Sequence, residues 1–223
     1  MSNALYQEFV KNLAGKLTSE ICVISLNFDC LLHEEFRENN VYREVYFDYL
    51  LNFNSVAPGR RSYNKKNGIP LIKLHGSLDW TFNPKTREIN LSHWGIRPNT
   101  DYFTNFTEFE PYIFLPHQVE GGLMDQLWNR AGEELRQAQK ITIIGYSFPS
   151  YDTGVISLFK NNIRQGVKLE IINSTSGFNI QDAIREQDVI KRYYETELFP
   201  GISQEFHFDG FEGYINRFSP MLT

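Results

Sequence analysis

Apolar residues recur at every fourth position from Leu5 through Phe9 and Leu13 to Leu17. That spacing predicts one stripe of an amphipathic helix over 5–17. "ICVISL" (21–26) hardly alternates, the pattern of a strand buried on both faces. A helix is expected next over "DCLLHEEFREN", with Asp29 at its N-terminal end, where a carboxylate favours free N–H groups. Residues 52–69, rich in Asn, Gly, Arg and Lys, read as an exposed loop. "IPLIKL" (69–74) is a second buried strand, and "LDWTF", "NPKT" and "REINLS" follow as a hairpin whose turn is supplied by Asn and Pro. The stretch from His93 to Pro111 carries few regular signals, and "YIFLP" (112–116) reads as a further strand.

The second half alternates more clearly. A long helix fits 122–139, with Leu123, Leu127, Ala131, Leu135 and Ala138 on one side. Strand "KITIIGY", a helix over 151–165, strand "VKLEIIN", a helix over 179–197, and a last short strand and helix around Phe206 and Tyr214 complete the order. Buried strands joined by helices imply parallel pairing through right-handed crossovers. The expected fold is therefore α/β: a Rossmann-like, doubly wound, mainly parallel sheet with helices on both faces and the hairpin as a small insertion. No repeat or low-complexity tract divides the chain, so one domain is expected over 5–223, and the opening "MSNA" reads as an expression-tag remnant.

Composition narrows the function. The 223 residues are 41% hydrophobic and 15% aromatic, which excludes a disordered chain. With 22 Lys+Arg against 27 Asp+Glu, the chain lacks the basic stripe of a nucleic-acid binder, and Arg60-Arg61 and Lys65-Lys66 read as a solvated loop. No apolar run approaches a membrane span, and the N-terminus lacks a signal-peptide pattern, so a cytoplasmic protein is expected. Two cysteines, Cys22 and Cys30, fit a reducing compartment and cannot build a four-cysteine zinc site. The histidines show no paired metal-ligand spacing, so no metal is expected. His33, His93, His117 and His207 default to surface or packing roles.

Ligands of such sheets bind beyond the carboxyl ends of the strands. Four of those ends are polar here: "SLNFD" (25–29), "KLHGS" (73–77), "IIGYSFPSYD" (143–152) and "EIINST" (170–175). Each has a plain structural explanation. Asn27 and Asp29 suit a helix cap, His75-Gly76 a turn with a solvated ring, Gly145 a close backbone approach, and Asn173 the start of a loop. If the strand order is as argued, Asn27, His75 and Gly145 lie at one edge of one parallel sheet.

Taken together, these strings resemble the sirtuin superfamily of NAD-consuming proteins, most closely its bacterial branch of sirtuin-like domains in antiphage NAD hydrolases. The resemblance matches Asn27, Phe28 and Asp29 to an Asn-aromatic-Asp strand end, and His75 and Gly76 to a His-Gly strand end. It matches Gly145 and Ser147 to a segment that approaches the dinucleotide, and Asn173 to a strand end beside the adenosine ribose. It thus implies His75 and Asn27 as catalytic residues, and Asp29, Gly76, Gly145, Ser147 and Asn173 as contacts to NAD. Residue chemistry agrees. Cleaving a nicotinamide–ribose bond passes through an oxocarbenium-like state. A histidine suits the proton transfer, and an asparagine amide orients water or ribose hydroxyls without adding charge. Asp29 has two uses at the same position, bonding a hydroxyl or the nicotinamide carboxamide, or capping its helix.

The sequence departs from the sirtuin pattern twice. Sirtuins open with a strand running into a Gly-rich loop that cradles the pyrophosphate at a helix N-terminus, whereas Gly15 and Gly59 are the only glycines before Gly68. That first phosphate-binding unit is missing, so a piece of a longer protein is expected, or a natural chain that has lost the loop. The zinc module of protein-deacylating sirtuins is replaced by the Trp80–Ser92 hairpin. The expected function is hydrolysis of NAD to nicotinamide and ADP-ribose in bacterial defence by the longer parent, with regulation by oligomerisation or attached domains. This chain alone, without the phosphate cradle, is expected to bind NAD poorly and turn it over slowly or not at all. A non-catalytic NAD or ADP-ribose sensor is the alternative, and an NAD-dependent deacylase the third.

Overall fold

The computed structural model describes residues 3–14, 20–30, 32, 47–53, 55–56, 68–91, 110–113 and 122–218. The helix expected after Asp29, most of the 52–69 loop, the His93–Pro111 stretch up to Phe109, the end of "YIFLP", and His33, His93 and His117 lie outside the described residues. The chain packs as two compact units, Phe9–Leu127 and Met1–Glu8 with Trp128–Thr223. In chain order helix α1 (Asn3–Ala14) precedes the strands of the Phe9–Leu127 unit and helix α2 (Leu123–Gln137) follows them.

In the Phe9–Leu127 unit, strands β1 (Val23–Ser25), β2 (Phe47–Asp48) and β4 (Ile69–Lys73) form a parallel sheet in the order β1-β4-β2. Val23 pairs with Leu71 and Ser25 with Lys73, while Phe47 pairs with Ile69. The central strand explains its own apolar run: Ile69, Leu71, Ile72 and the following Leu74 are all buried. A second, four-stranded sheet has the order β3-β6-β5-β7, with β3 (Ser55–Val56), β5 (Gly76–Asn83), β6 (Glu88–Leu91) and β7 (Glu110–Ile113). The expected hairpin is its inner pair, β5 and β6, with Trp80 opposite Leu91 and Asn83 opposite Glu88. The Asn83 side-chain oxygen closes the turn by accepting from the Lys85 and Thr86 amides at 2.9 and 3.2 Å. The hairpin is thus more than an insertion. Trp80 is fully buried and meets Tyr49 and Phe53 edge to face at 5.3 and 6.0 Å.

In the other unit, β8 (Lys140–Ile144), α3 (Thr153–Asn162), β9 (Lys168–Ile172), α4 (Ile180–Arg192), β10 (Ser203–His207) and α5 (Gly210–Phe218) follow the expected alternation. β8, β9 and β10 pair in parallel, with β9 the middle strand of the β10-β9-β8 sheet. Asn179 caps α4 and Asp152 caps α3, each accepting from an amide three residues on. α4 does not stop at Arg192 but widens into a π-helical turn over Tyr193–Leu198. The fold is α/β with mainly parallel strands and helical crossovers, as expected. The described strands pair into three sheets, however, so Gly145, which follows β8, does not share one sheet edge with Asn27 and His75, which follow β1 and β4. Among the described residues no helix is long and apolar enough to cross a membrane.

One charge sits inside the β10-β9-β8 sheet. Glu170 is buried between apolar neighbours on β9 and meets Lys140 Nζ at 2.7 Å, the Thr142 hydroxyl at 2.9 Å and His207 Nε2 at 3.6 Å. Burial pushes its carboxyl pKa up, but the bonds from Lys140 and Thr142 and the charges of Lys140 and His207 outweigh it, and the net shift is down. A depressed carboxyl contributes stability above its unfolded pKa and loses it as pH falls through the folded one. Glu170→Gln is expected to cost about 1.5–3 kcal/mol at pH 7, toward the lower end because Lys140 is half-exposed. In denaturant titrations the gap between the two proteins should narrow below about pH 4.5, the ordinary glutamate value. A gap independent of pH would refute the pairing.

Candidate functional site

The chain leaves β1 through Leu26 to Asp29 and leaves β4 through Leu74 and His75. Because β1 and β4 are adjacent and parallel, both exits fall at the same sheet edge. Two backbone hydrogen bonds continue the contact past the strands: Leu74 N–H donates to the Ser25 carbonyl at 3.1 Å, and Leu78 N–H to the Phe28 carbonyl at 2.9 Å. The Ser25 hydroxyl closes a local turn on the Asn27 backbone at 3.2 Å, leaving the Asn27 side chain exposed at the edge. Phe28 beside it is half-exposed. His75 lies in the turn between β4 and β5 and is only 5% exposed, so the solvated-ring reading of the turn fails.

Gly76 begins β5 at φ +75°, a conformation that favours glycine. It also passes under β7. A Cβ at this position would stand 1.9 Å from the Tyr112 carbonyl oxygen and 3.1 Å from Ile113 Cα. The glycine that the sequence assigns to NAD binding therefore has a packing reason of its own.

Beneath this edge lies a polar cluster that sequence reasoning missed. Lys73, the last residue of β4, is 2% exposed. Its Nζ donates to the Asp29 carbonyl and, at 2.8 Å, to the Ser77 hydroxyl, which in turn donates to the buried Asp79 carboxylate. Burial lowers the Lys73 pKa, while Asp79, Cys30 and Asp29 push it back up. The signal was available: a lysine inside the otherwise apolar run "IPLIKL" must either be exposed or be matched by buried acceptors.

In the other unit, β8 ends in Ile144 and enters the segment Gly145–Asp152. Gly145 has φ +66°, and among the described residues no atom beyond its chain neighbours lies within 4 Å of where its Cβ would be. Its amide donates to the Ile172 carbonyl of β9 at 2.9 Å, while among the described residues the space on its Cβ side is open. Along the segment, Gly145 and Ser147 are exposed while Tyr146 is half-buried and Phe148 fully buried. Phe148 is itself left-handed at φ +51°, held by rings from Tyr146, Phe159, Tyr194 and Phe199 at 4.8–5.7 Å. Hydroxyls pin the backbone: Tyr194 donates to the Tyr146 carbonyl at 2.6 Å and Tyr193 to the Phe148 carbonyl at 2.9 Å. The Tyr146 hydroxyl donates to Asp152, and its pKa is raised by burial and by that carboxylate. Asn173 ends β9 half-buried, its N–H on the His207 carbonyl and its own carbonyl taking the Gly210 amide, both at 2.9 Å. The structure therefore brings Asn27, Asp29, His75 and Gly76 together at one edge, and sets Gly145, Ser147 and Asn173 at the carboxyl ends of β8 and β9.

The profile of the SIR2-like domain family matches residues 21–164, more than half of the chain. The chain belongs to the SIR2-like domain family. None of the curated proteins matches it. Among solved structures it is similar to one described as the structural basis for sirtuin substrate affinity, at 16% identity over 86% of this chain and 70% of that chain, TM-score 0.44. It is also similar to a Sir2–p53 peptide–NAD+ complex, at 17% identity over 86% and 68% of the two chains, TM-score 0.40. The family assignment rests on the profile. Of the residues singled out from sequence, Asn27, Asp29, His75, Gly76, Gly145 and Ser147 fall inside the matched SIR2-like span, and Asn173 lies beyond it. Among the described residues no three His, Cys, Asp or Glu side chains cluster as a metal site.

The two glycines of this SIR2-like domain should respond differently to a methyl group. Gly145→Ala meets open space and should cost only backbone strain, about 1–2 kcal/mol. Gly76→Ala adds a collision with the β7 backbone and should cost clearly more, about 3 kcal/mol or above. Chemical denaturation of the two variants checks this, and equal losses would show that the Tyr112 approach is not a constraint.

Proposed function

We propose that this SIR2-like domain binds NAD and hydrolyses its nicotinamide–ribose bond, the activity expected of the antiphage NAD hydrolases that its motifs resemble. One observation carries the reading: parallel pairing of β1 with β4 sets Asn27 and His75 at the same edge, tied by the Ser25–Leu74 and Phe28–Leu78 backbone bonds. In the proposed reaction a water oxygen forms a bond to the anomeric carbon as the C–N bond breaks, and nicotinamide leaves with the bonding pair. His75 takes the proton from the water, and the exposed Asn27 amide orients the water or the ribose hydroxyls. Asp29 is proposed to bond a ribose hydroxyl or the nicotinamide carboxamide. The outward-facing Gly145 and Ser147 are proposed to contact the nucleotide, and Asn173 its ribose. With Cys22 and Cys30 as the only cysteines, a four-cysteine zinc module cannot be built, which speaks against a deacylase of that type.

The burial of His75 favours a second reading, a nucleotide sensor without turnover, because a general base must reach the proton it removes. Calorimetric titration with NAD and chromatography of nicotinamide and ADP-ribose separate the two. Hydrolysis predicts equimolar products, with His75→Ala and Asn27→Ala each lowering the rate by about 10²–10⁴-fold while NAD affinity changes little. A sensor predicts a binding isotherm with no products. Turnover unaffected by His75→Ala would remove the histidine from the mechanism, and failure to bind NAD would sink both readings.

A further inference from the structure

Lys73 is unusual for its place. It ends the central strand of the β1-β4-β2 sheet, is buried, and follows four residues of an otherwise apolar strand. Stability alone does not call for a lysine there, since an apolar side chain of similar volume is often as stable as a buried charged group with its partners. What the lysine does that a methionine cannot is donate in two directions. One bond goes to the carbonyl of Asp29, on the exit of β1, and the other to the hydroxyl of Ser77, two residues after His75. Asp79 accepts from the same hydroxyl and orients it.

We propose that Lys73 is a positioning residue, a strut whose amine holds the Asn27–Asp29 exit of β1 against the His75–Ser77 turn so that Asn27 and His75 keep one mutual geometry. The functional part of this inference rests on the hydrolase reading above; the mechanical part does not. Among the described residues, the groups facing the amine are the Asp29 carbonyl, the Ser77 hydroxyl and the Asp79, Cys30 and Asp29 side chains. The lowered pKa of the amine agrees with an atom removed from water by burial. Displacing reacting groups by about 1 Å costs on the order of 10²-fold in rate, so a strut at this point has leverage without touching substrate.

The test compares Lys73→Met with Lys73→Arg in the full chain. Hydrogen exchange should show protection lost by roughly 10-fold at the amides of Asn27 to Asp29 and of Leu78 in Lys73→Met, with β9 in the other unit unchanged, and restored in Lys73→Arg. In NAD hydrolysis Lys73→Met should lower kcat by about 10²-fold with KM within a few-fold. Asn27→Ala added to Lys73→Met should cost much less than it does alone, because the asparagine is already out of place. Where Lys73→Met does not fold, Ser77→Ala removes one of the two acceptors, and the same exchange pattern is read from it. Unchanged protection at the Asn27–Asp29 amides, or loss spread evenly over β9 as well, overturns the strut, as do additive losses of rate. A wild-type chain that binds NAD without turnover refutes the hydrolase reading instead, and the exchange result then decides the strut by itself.

Discussion

The parallel pairing of β1 with β4 is the constraint on which the candidate site depends. Parallel strands exit at the same edge, so two motifs separated by almost fifty residues of chain arrive side by side. The pairing does not end where the strands do. Amides from Leu74 and Leu78 reach back to the carbonyls of Ser25 and Phe28, and a buried lysine adds a third tie through the Asp29 carbonyl. Polar backbone removed from water must find such partners, so the bonds satisfy the irregular backbone between strand and turn while also setting its geometry.

The segment after β8 reaches a similar end by other means. Only its first residue is stitched to a strand, through the Gly145 amide on the Ile172 carbonyl of β9 at 2.9 Å, and beyond it the shape is held from beneath by aromatic packing and tyrosine hydroxyls. Phe148 accepts a left-handed backbone, a strain of order 1–3 kcal/mol, because its ring fills the core of that unit. The consequence is an alternation along Gly145–Phe148 in which the small residues face out and the rings face in. A surface built in this way is already shaped before any ligand arrives, which reduces the ordering cost of binding.

Glycine shows how one residue type answers to two constraints. Gly76 is needed because a β-strand crosses against it, and Gly145 only because its φ is positive. A glycine demanded by packing says nothing about a ligand. One demanded by conformation alone, with open space over it, leaves room for one.

Much was legible in the sequence because it is local. Apolar runs marked β1, β4, β8 and β9, turn chemistry marked the Asn83–Glu88 hairpin, and polar residues at the ends of apolar strands marked Asn27, His75, Gly145 and Asn173. The family likeness followed from those same strings. What the tertiary structure decided depends on contacts between distant segments. Burial of His75, the approach of Tyr112 to Gly76 and the hairpin's place inside a four-stranded sheet are set by neighbours far along the chain. Lys73 is the clearest case. Sequence shows a lysine inside an apolar run but not what matches it, and only the meeting of the β1 exit with the β4–β5 turn supplies the acceptors that let it stay buried.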